Sequence, residues 1–157
     1  MWEVLQHARW VATIGTSRGL FGLVSVVHYS AVFLCVGTII LRDVRILGAA
    51  CRNQKLSAVA EQLRPWFLIG FGSAVISGFL LFTVEAGDYA AATPFRIKML
   101  VTVLAAVSAL AIDWRVPTWD RASTMPVTAR LVALISIVLW LGTILASVEI
   151  PALTGLG

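Results

Sequence analysis

The stretch VSVVHYSAVFLCVGTIILRDVRILG, Val24 to Gly48, decides the fold. From Val24 to Leu41 it is apolar except for His28 and a few small hydroxyl and thiol groups, and it then stops abruptly at Arg42-Asp43-Val44-Arg45. Its apolar residues do not fall on one face, as they would in a helix lying on a soluble core; they surround the axis. Extended back to Gly19, the run reaches the length of about 20 residues that a helix needs to cross a bilayer.

Working outward, the same pattern recurs. Four transmembrane spans are expected, at about 19–41, 66–86, 97–112 and 130–148, behind an N-terminal segment 1–18. The composition agrees: 59% of the residues are hydrophobic and 13% charged, and the mean hydropathy is +0.92, whereas a soluble domain is about a quarter charged. The expectation is an all-α integral membrane bundle of four transmembrane helices, a single membrane domain with the lipid bilayer as its first partner.

The net charge of +4 does not point to nucleic acid, because the basic residues sit at span ends, where headgroups and orientation explain them. Arg42, Arg45, Arg52, Lys55, Arg64, Arg115, Arg121 and Arg130 fall in the two long loops, and Arg9, Arg18, Arg96 and Lys98 on the other side. That excess predicts cytoplasmic loops and both termini outside, in a bacterial inner membrane. The N-terminal stretch carries Glu3, His7, Arg9 and Arg18, too many polar groups for a cleavable signal. It reads as a short interfacial helix, with Trp2, Leu5 and Trp10 at headgroup level, or as a frayed tail. Cys35 and Cys51 stand roughly 24 Å apart if the chain between them is helical, too far for a disulfide.

Packing signals are densest in the second span. Gly70, Ala74 and Gly78 recur four residues apart, a stripe that lets another helix approach closely. Pro65 is expected in the first turn of that helix. Trp66 and Trp114 fit one aromatic belt and Tyr89 the other. Trp140 lies inside the fourth span, as a packing residue at a bundle or subunit interface. In RDVR, Arg42 and Arg45 can reach headgroup phosphates and Asp43 can pair with either. An orientation signal needs no acid, so Asp43 also suggests a specific ion pair with the end of another helix.

Chemistry has few candidates: His28, Tyr29, Cys35, Glu85, Lys98, Asp113 and Glu149 are the ionisable groups in or beside the spans. There is no metalloprotease motif, phosphate loop or nucleophile elbow, and no catalytic residue can be assigned. His28 lies roughly 14 Å below Gly19 at about 1.5 Å per residue, near mid-bilayer, where an ionisable side chain requires a partner. The plainer account is a neutral imidazole bonded to Ser73, Ser77 or Ser108. The alternatives are haem ligation, copper or another metal, and proton relay. A bis-histidine di-haem protein is excluded, because the other histidine, His7, lies outside the spans. A single haem b would use His28 with a weak second ligand such as Met99, or be shared between two copies, with Arg96 and Lys98 neutralising its propionates.

Several short motifs carry a resemblance. A histidine-bearing first helix is followed by DVRILG, then come PWFLIGFG, SGFLLF, YAAATPFRIKML and SIVLW in the same order, spanning Phe21 to Trp140. The chain thereby resembles a bacterial four-helix integral-membrane family known mainly as a domain of unknown function, and departs from it after Trp140, where the family's Gly-Arg pair is missing. In layout it is distantly similar to CopD-type copper-resistance proteins and HemJ-type protoporphyrinogen oxidases. That likeness implies a functional pairing of His28 with Lys98 and redox or metal chemistry in the outer half of the membrane. One function class is therefore a redox or metal-handling membrane subunit, with other membrane subunits or further copies of the chain as expected partners. The other function class is a non-catalytic accessory or anchor subunit docking a larger membrane complex, with His28 merely packed.

Overall fold

The computed structural model describes residues 9–84 and 86–154, with side chains from 11 to 147 apart from residue 85. Trp2, Leu5, His7, Glu85 and Glu149, and the side chain of Trp10, lie outside the described residues. The elements are helices α1 (Arg9–Thr16), α2 (Arg18–Leu47), α3 (Leu56–Val84), α4 (Ala86–Ala91), α5 (Thr93–Asp120) and α6 (Val127–Thr154). No strand occurs among the described residues. Helices α2, α3, α5 and α6 are each long and apolar enough to cross a membrane, so the chain is a multi-pass membrane protein built as a four-helix bundle with a short N-terminal helix. All four helices outrun the expected spans. At about 1.5 Å per residue they measure about 42–45 Å, against a hydrocarbon core of about 30 Å, so their ends stand in the headgroup layer.

Local chemistry sets the ends. Ser17 separates α1 from α2 and caps α2, its hydroxyl accepting from the Leu20 N–H at 3.4 Å. Gly48 ends α2 in the left-handed conformation (φ 75°), and the Gly48 and Ala49 N–H groups return to the carbonyls of Arg45 and Val44. Pro94 opens α5 in its first turn. Pro65 is a correction: α3 begins at Leu56, so the proline is the tenth residue of the helix and not in its first turn. It removes the N–H that would bond the Glu61 carbonyl, but both residues are exposed at the membrane boundary, where water takes that carbonyl and the helix runs on.

The bundle is inside-out relative to a soluble one. Leu23, Phe33, Ile76, Leu100 and Val138 are all more than half exposed, presenting hydrocarbon to lipid. Small residues recur in the interior, Ala31, Ala105, Ala109, Ala129, Ala133 and Ser136, beside the bulkier Ile39, Ile46, Leu56, Ile112 and Trp140, so the helices approach closely and side chains fill the gaps between them. The pair α2/α3 is the most intimate, followed by α5/α6, and α2 also packs on α6. The stripe in α3 is the reason. A methyl on Gly70 would stand 2.8 Å from the Cys35 amide nitrogen and 3.0 Å from the Ala31 carbonyl oxygen, so only glycine permits that approach. Cys35 and Cys51 are free thiols.

The end carrying the α2–α3 and α5–α6 loops is tied across the bundle. The Asp120 carboxylate, at the end of α5, accepts from the Leu56 N–H at 2.9 Å and the Ser57 N–H at 3.0 Å, capping α3 from another helix. Arg45 donates to the Gln54 carbonyl through Nε at 3.0 Å and Nη2 at 2.6 Å, clamping the α2–α3 loop.

Candidate functional site

Two polar centres lie inside the bundle, and α2 contributes to both. The first is His28, ten residues into α2 from Arg18 and so about 15 Å along it. Its Nδ1 is 3.1 Å from the Ala74 carbonyl oxygen and 3.1 Å from Ser77 Oγ, both on α3. A carbonyl only accepts, and the Ser77 hydroxyl already donates to the Ser73 carbonyl at 2.6 Å. Both contacts therefore require the proton on Nδ1, and in the neutral imidazole that a position inside the bilayer favours the lone pair is then on Nε2. No described residue partners Nε2. Of the three serines weighed from the sequence, Ser77 is the contact; Ser108 bonds its own helix at Ala105.

The ring fits because α3 has a notch. A methyl on Gly78 would meet His28 Cε1 at 2.8 Å, so this glycine accommodates the imidazole, whereas Gly70 accommodates backbone. Ala74 supplies the carbonyl between them. Lys98 of α5 is half-buried and within electrostatic reach of His28, and no described carboxylate pairs with it. Arg96 does not join them. It is exposed, and its Nε donates to the Ala90 carbonyl of α4 at 2.9 Å. Met99 faces outward, 45% exposed.

The second centre is formed by Arg42, Asp43 and Asp113; it corrects one expectation and decides between the alternatives of another. Arg42 does not reach headgroups; it is buried, 5% exposed, beside a fully buried Asp43. Asp43 pairs with Arg42 and not with Arg45, which is spent on the Gln54 carbonyl. Arg42 Nε donates to Asp43 Oδ1 at 2.9 Å, and Nη2 lies at the same distance from that oxygen but is poorly aligned. On its other edge Nη1 donates to Asp113 Oδ1 at 2.6 Å and to the Ala109 carbonyl at 3.1 Å, both on α5. The partner on another helix that Asp43 suggested therefore exists, but Arg42 is the residue that reaches it.

Ser136 of α6 lies beside the Asp43 carboxylate, and Asp43 Oδ2, Ser136 Oγ and the Trp140 indole nitrogen are buried without a well-formed hydrogen bond. Trp140 itself, 3% exposed, packs inside the bundle against Cys35, Val36 and Ile39 of α2 and Ala105 and Ala109 of α5. Thr38, Arg64, Phe67 and Asp113 line a cleft beside Arg42 with a cavity of about 10 Å³, the size of one water position. Ser136 is the member that no sequence signal singled out. Asp113 carried one, as an acid at the end of the third span facing the charged end of the first.

No family model, no curated protein and no solved structure matches this chain. The geometry therefore carries the functional argument.

Proposed function

We propose that this chain is a small redox-associated membrane subunit in which His28 would ligate one haem b, at the side of the bilayer remote from the α2–α3 and α5–α6 loops. The observation that supports the reading is the Nδ1–H of His28 held on the Ala74 carbonyl, because a carbonyl bonded to one ring nitrogen orients a ligating histidine and leaves Nε2 free for iron. Gly78 allows the ring to lie against α3, and Ser77 restrains it from the same side. Lys98 is a half-buried cation with no described counter-ion, suited to a carboxylate such as a haem propionate. Arg96, held on α4, is withdrawn from that role. When bound, such a group supplies one-electron transfer.

Copper is less well served: it takes several N or S ligands, and no group of three or more His, Cys, Asp or Glu side chains lies together among the described residues. His28 is itself only half-buried, between the outward-facing Val27 and Tyr29, so its open side is available to a second copy or to another membrane subunit. The likeness to the bacterial four-helix family and to the CopD-type and HemJ-type layouts points to the same His28 and Lys98 pair, as a resemblance only.

Pyridine-haemochrome analysis of the full chain, purified from its native host, should find haem b close to one per protomer. His28→Ala should lose it with the bundle still assembled, Lys98→Ala should weaken its retention, and Gly78→Ala should lower occupancy by pushing the ring off the Ala74 carbonyl. Wild-type protein without haem would sink the reading and leave the accessory or anchor subunit in its place. The orientation in a bacterial inner membrane, termini outside, rests on the Lys/Arg distribution. In intact cells a membrane-impermeant thiol reagent should spare Cys51, which is exposed in the α2–α3 loop, and label a Thr154→Cys variant; the reverse pattern inverts the topology.

A further inference from the structure

A groove of about 360 Å³ opens between the loop ends of α5 and α6, lined by Ala111, Trp114, Arg115, Trp119, Thr128 and Val132. It is far from His28 and shares no residue with the Arg42 cluster. Trp114 is 88% exposed, the most open of the large apolar side chains, and it stands with Trp119 over an apolar floor of Ala111 and Val132.

The charges around the groove are sorted. The α5–α6 hairpin carries two acids at this end, and both are turned inward and engaged: Asp113 receives Arg42, and Asp120 caps α3. Its three arginines, Arg115, Arg121 and Arg130, are exposed, and no described residue pairs with any of them. On the α2–α3 side, Arg45 at the end of α2 and Arg52 in the loop are tied to the backbone carbonyls of Gln54 and Gly48, and Lys55 and Arg64 are exposed with no described partner but do not line this groove. What sets the α5–α6 hairpin apart is that one of its free cations, Arg115, stands in the lining of an aromatic-walled apolar groove at the loop end.

We propose that this groove is a binding site for one anionic phospholipid, its phosphate on the Arg115 guanidinium with the Thr128 hydroxyl beside it and an acyl chain laid over Ala111 and Val132 between the two tryptophans. Apolar lining alone would accept any lipid. The unpaired arginine at its mouth is what selects a headgroup with net negative charge, and a guanidinium suits a phosphate better than an ammonium does.

Native mass spectrometry of the full chain, titrated in detergent with dioleoyl phosphatidylglycerol or dioleoyl phosphatidylcholine, tests this directly. The first bound phosphatidylglycerol should be retained well above phosphatidylcholine, and Arg115→Ala should weaken it about fivefold, as expected for the loss of one surface cation. Trp119→Ala should weaken both lipids, because it removes a wall and not a charge. Arg52→Ala deletes the same charge from the other loop and should leave retention unchanged. Equal retention of the two lipids, no effect of Arg115→Ala, or an equal loss in Arg52→Ala would overturn the site, the last by showing diffuse attraction to the whole loop end.

Discussion

Arg42→Met should be the most damaging single substitution at the loop end of the bundle. It keeps the length and apolar stem of the side chain but strands the Asp43 carboxylate, fully buried and with no other cation against it. Breaking a buried pair from one side costs about 3–5 kcal/mol. The melting temperature in detergent, followed by size-exclusion fluorescence, should fall by roughly 6–20 °C, since about 1 kcal/mol is worth about 2–4 °C in a chain of this size. The double substitution Arg42→Met with Asp43→Leu should recover much of that loss, because it leaves no orphaned charge in the interior; Asp113, with a third of its side chain exposed, can turn to water. An unchanged melting temperature in the single variant would mean that the cluster is solvated and holds nothing together.

Gly70→Leu should be comparably severe for a different reason. The obstacle is backbone, the Cys35 amide and the Ala31 carbonyl, which no rotamer change can move aside. Even one added carbon forces α2 and α3 apart along the whole of their contact, and overpacking of that kind costs about 1–3 kcal/mol before the rest of a leucine is accommodated. We expect loss of the monodisperse detergent-stable species. Gly78→Ala provides the contrast, because there the obstacle is an imidazole that can swing away. The bundle should survive while His28 loses its anchor. If both glycine variants purify equally well, the α2/α3 contact does not run through this stripe.

The stripe was legible because its spacing of four residues is the helix repeat itself, and His28 was legible because an imidazole in a lipid-length run needs a partner. The direction of Arg42 was harder to read, since at a span end an inward ion pair and an outward anchor look alike. A signal was nevertheless present: Arg42 stands seven residues after Cys35 and three after Ile39, on the buried face of α2. Arg96 was grouped with Lys98 because both open the third span. Two residues apart on a helix, however, they point to nearly opposite sides, and of the two only Lys98 is close enough to act electrostatically on His28. Pro65 reads as a first-turn residue because hydropathy marks where lipid begins, not where the helix does; α3 runs nine residues further back as an amphipathic stretch, with Leu56 and Val59 buried and Glu61, Gln62 and Arg64 exposed. Ser136 could not be found by sequence reasoning, as one hydroxyl in an apolar span is indistinguishable from the others until its neighbour across the bundle is known.

The Arg42 hub also sets an order of events during synthesis. Arg42 and Asp43 are adjacent, so the first hairpin can enter the bilayer carrying a locally neutral pair. Asp113 follows 71 residues later, roughly 4–14 s later at about 5–20 residues per second. Throughout that interval the free edge of the guanidinium has only headgroups, water or the insertion machinery to bond. Closure of the loop end therefore waits for the second hairpin, and a ribosome stalled between the two would leave a half-inserted chain with its most polar face turned to lipid.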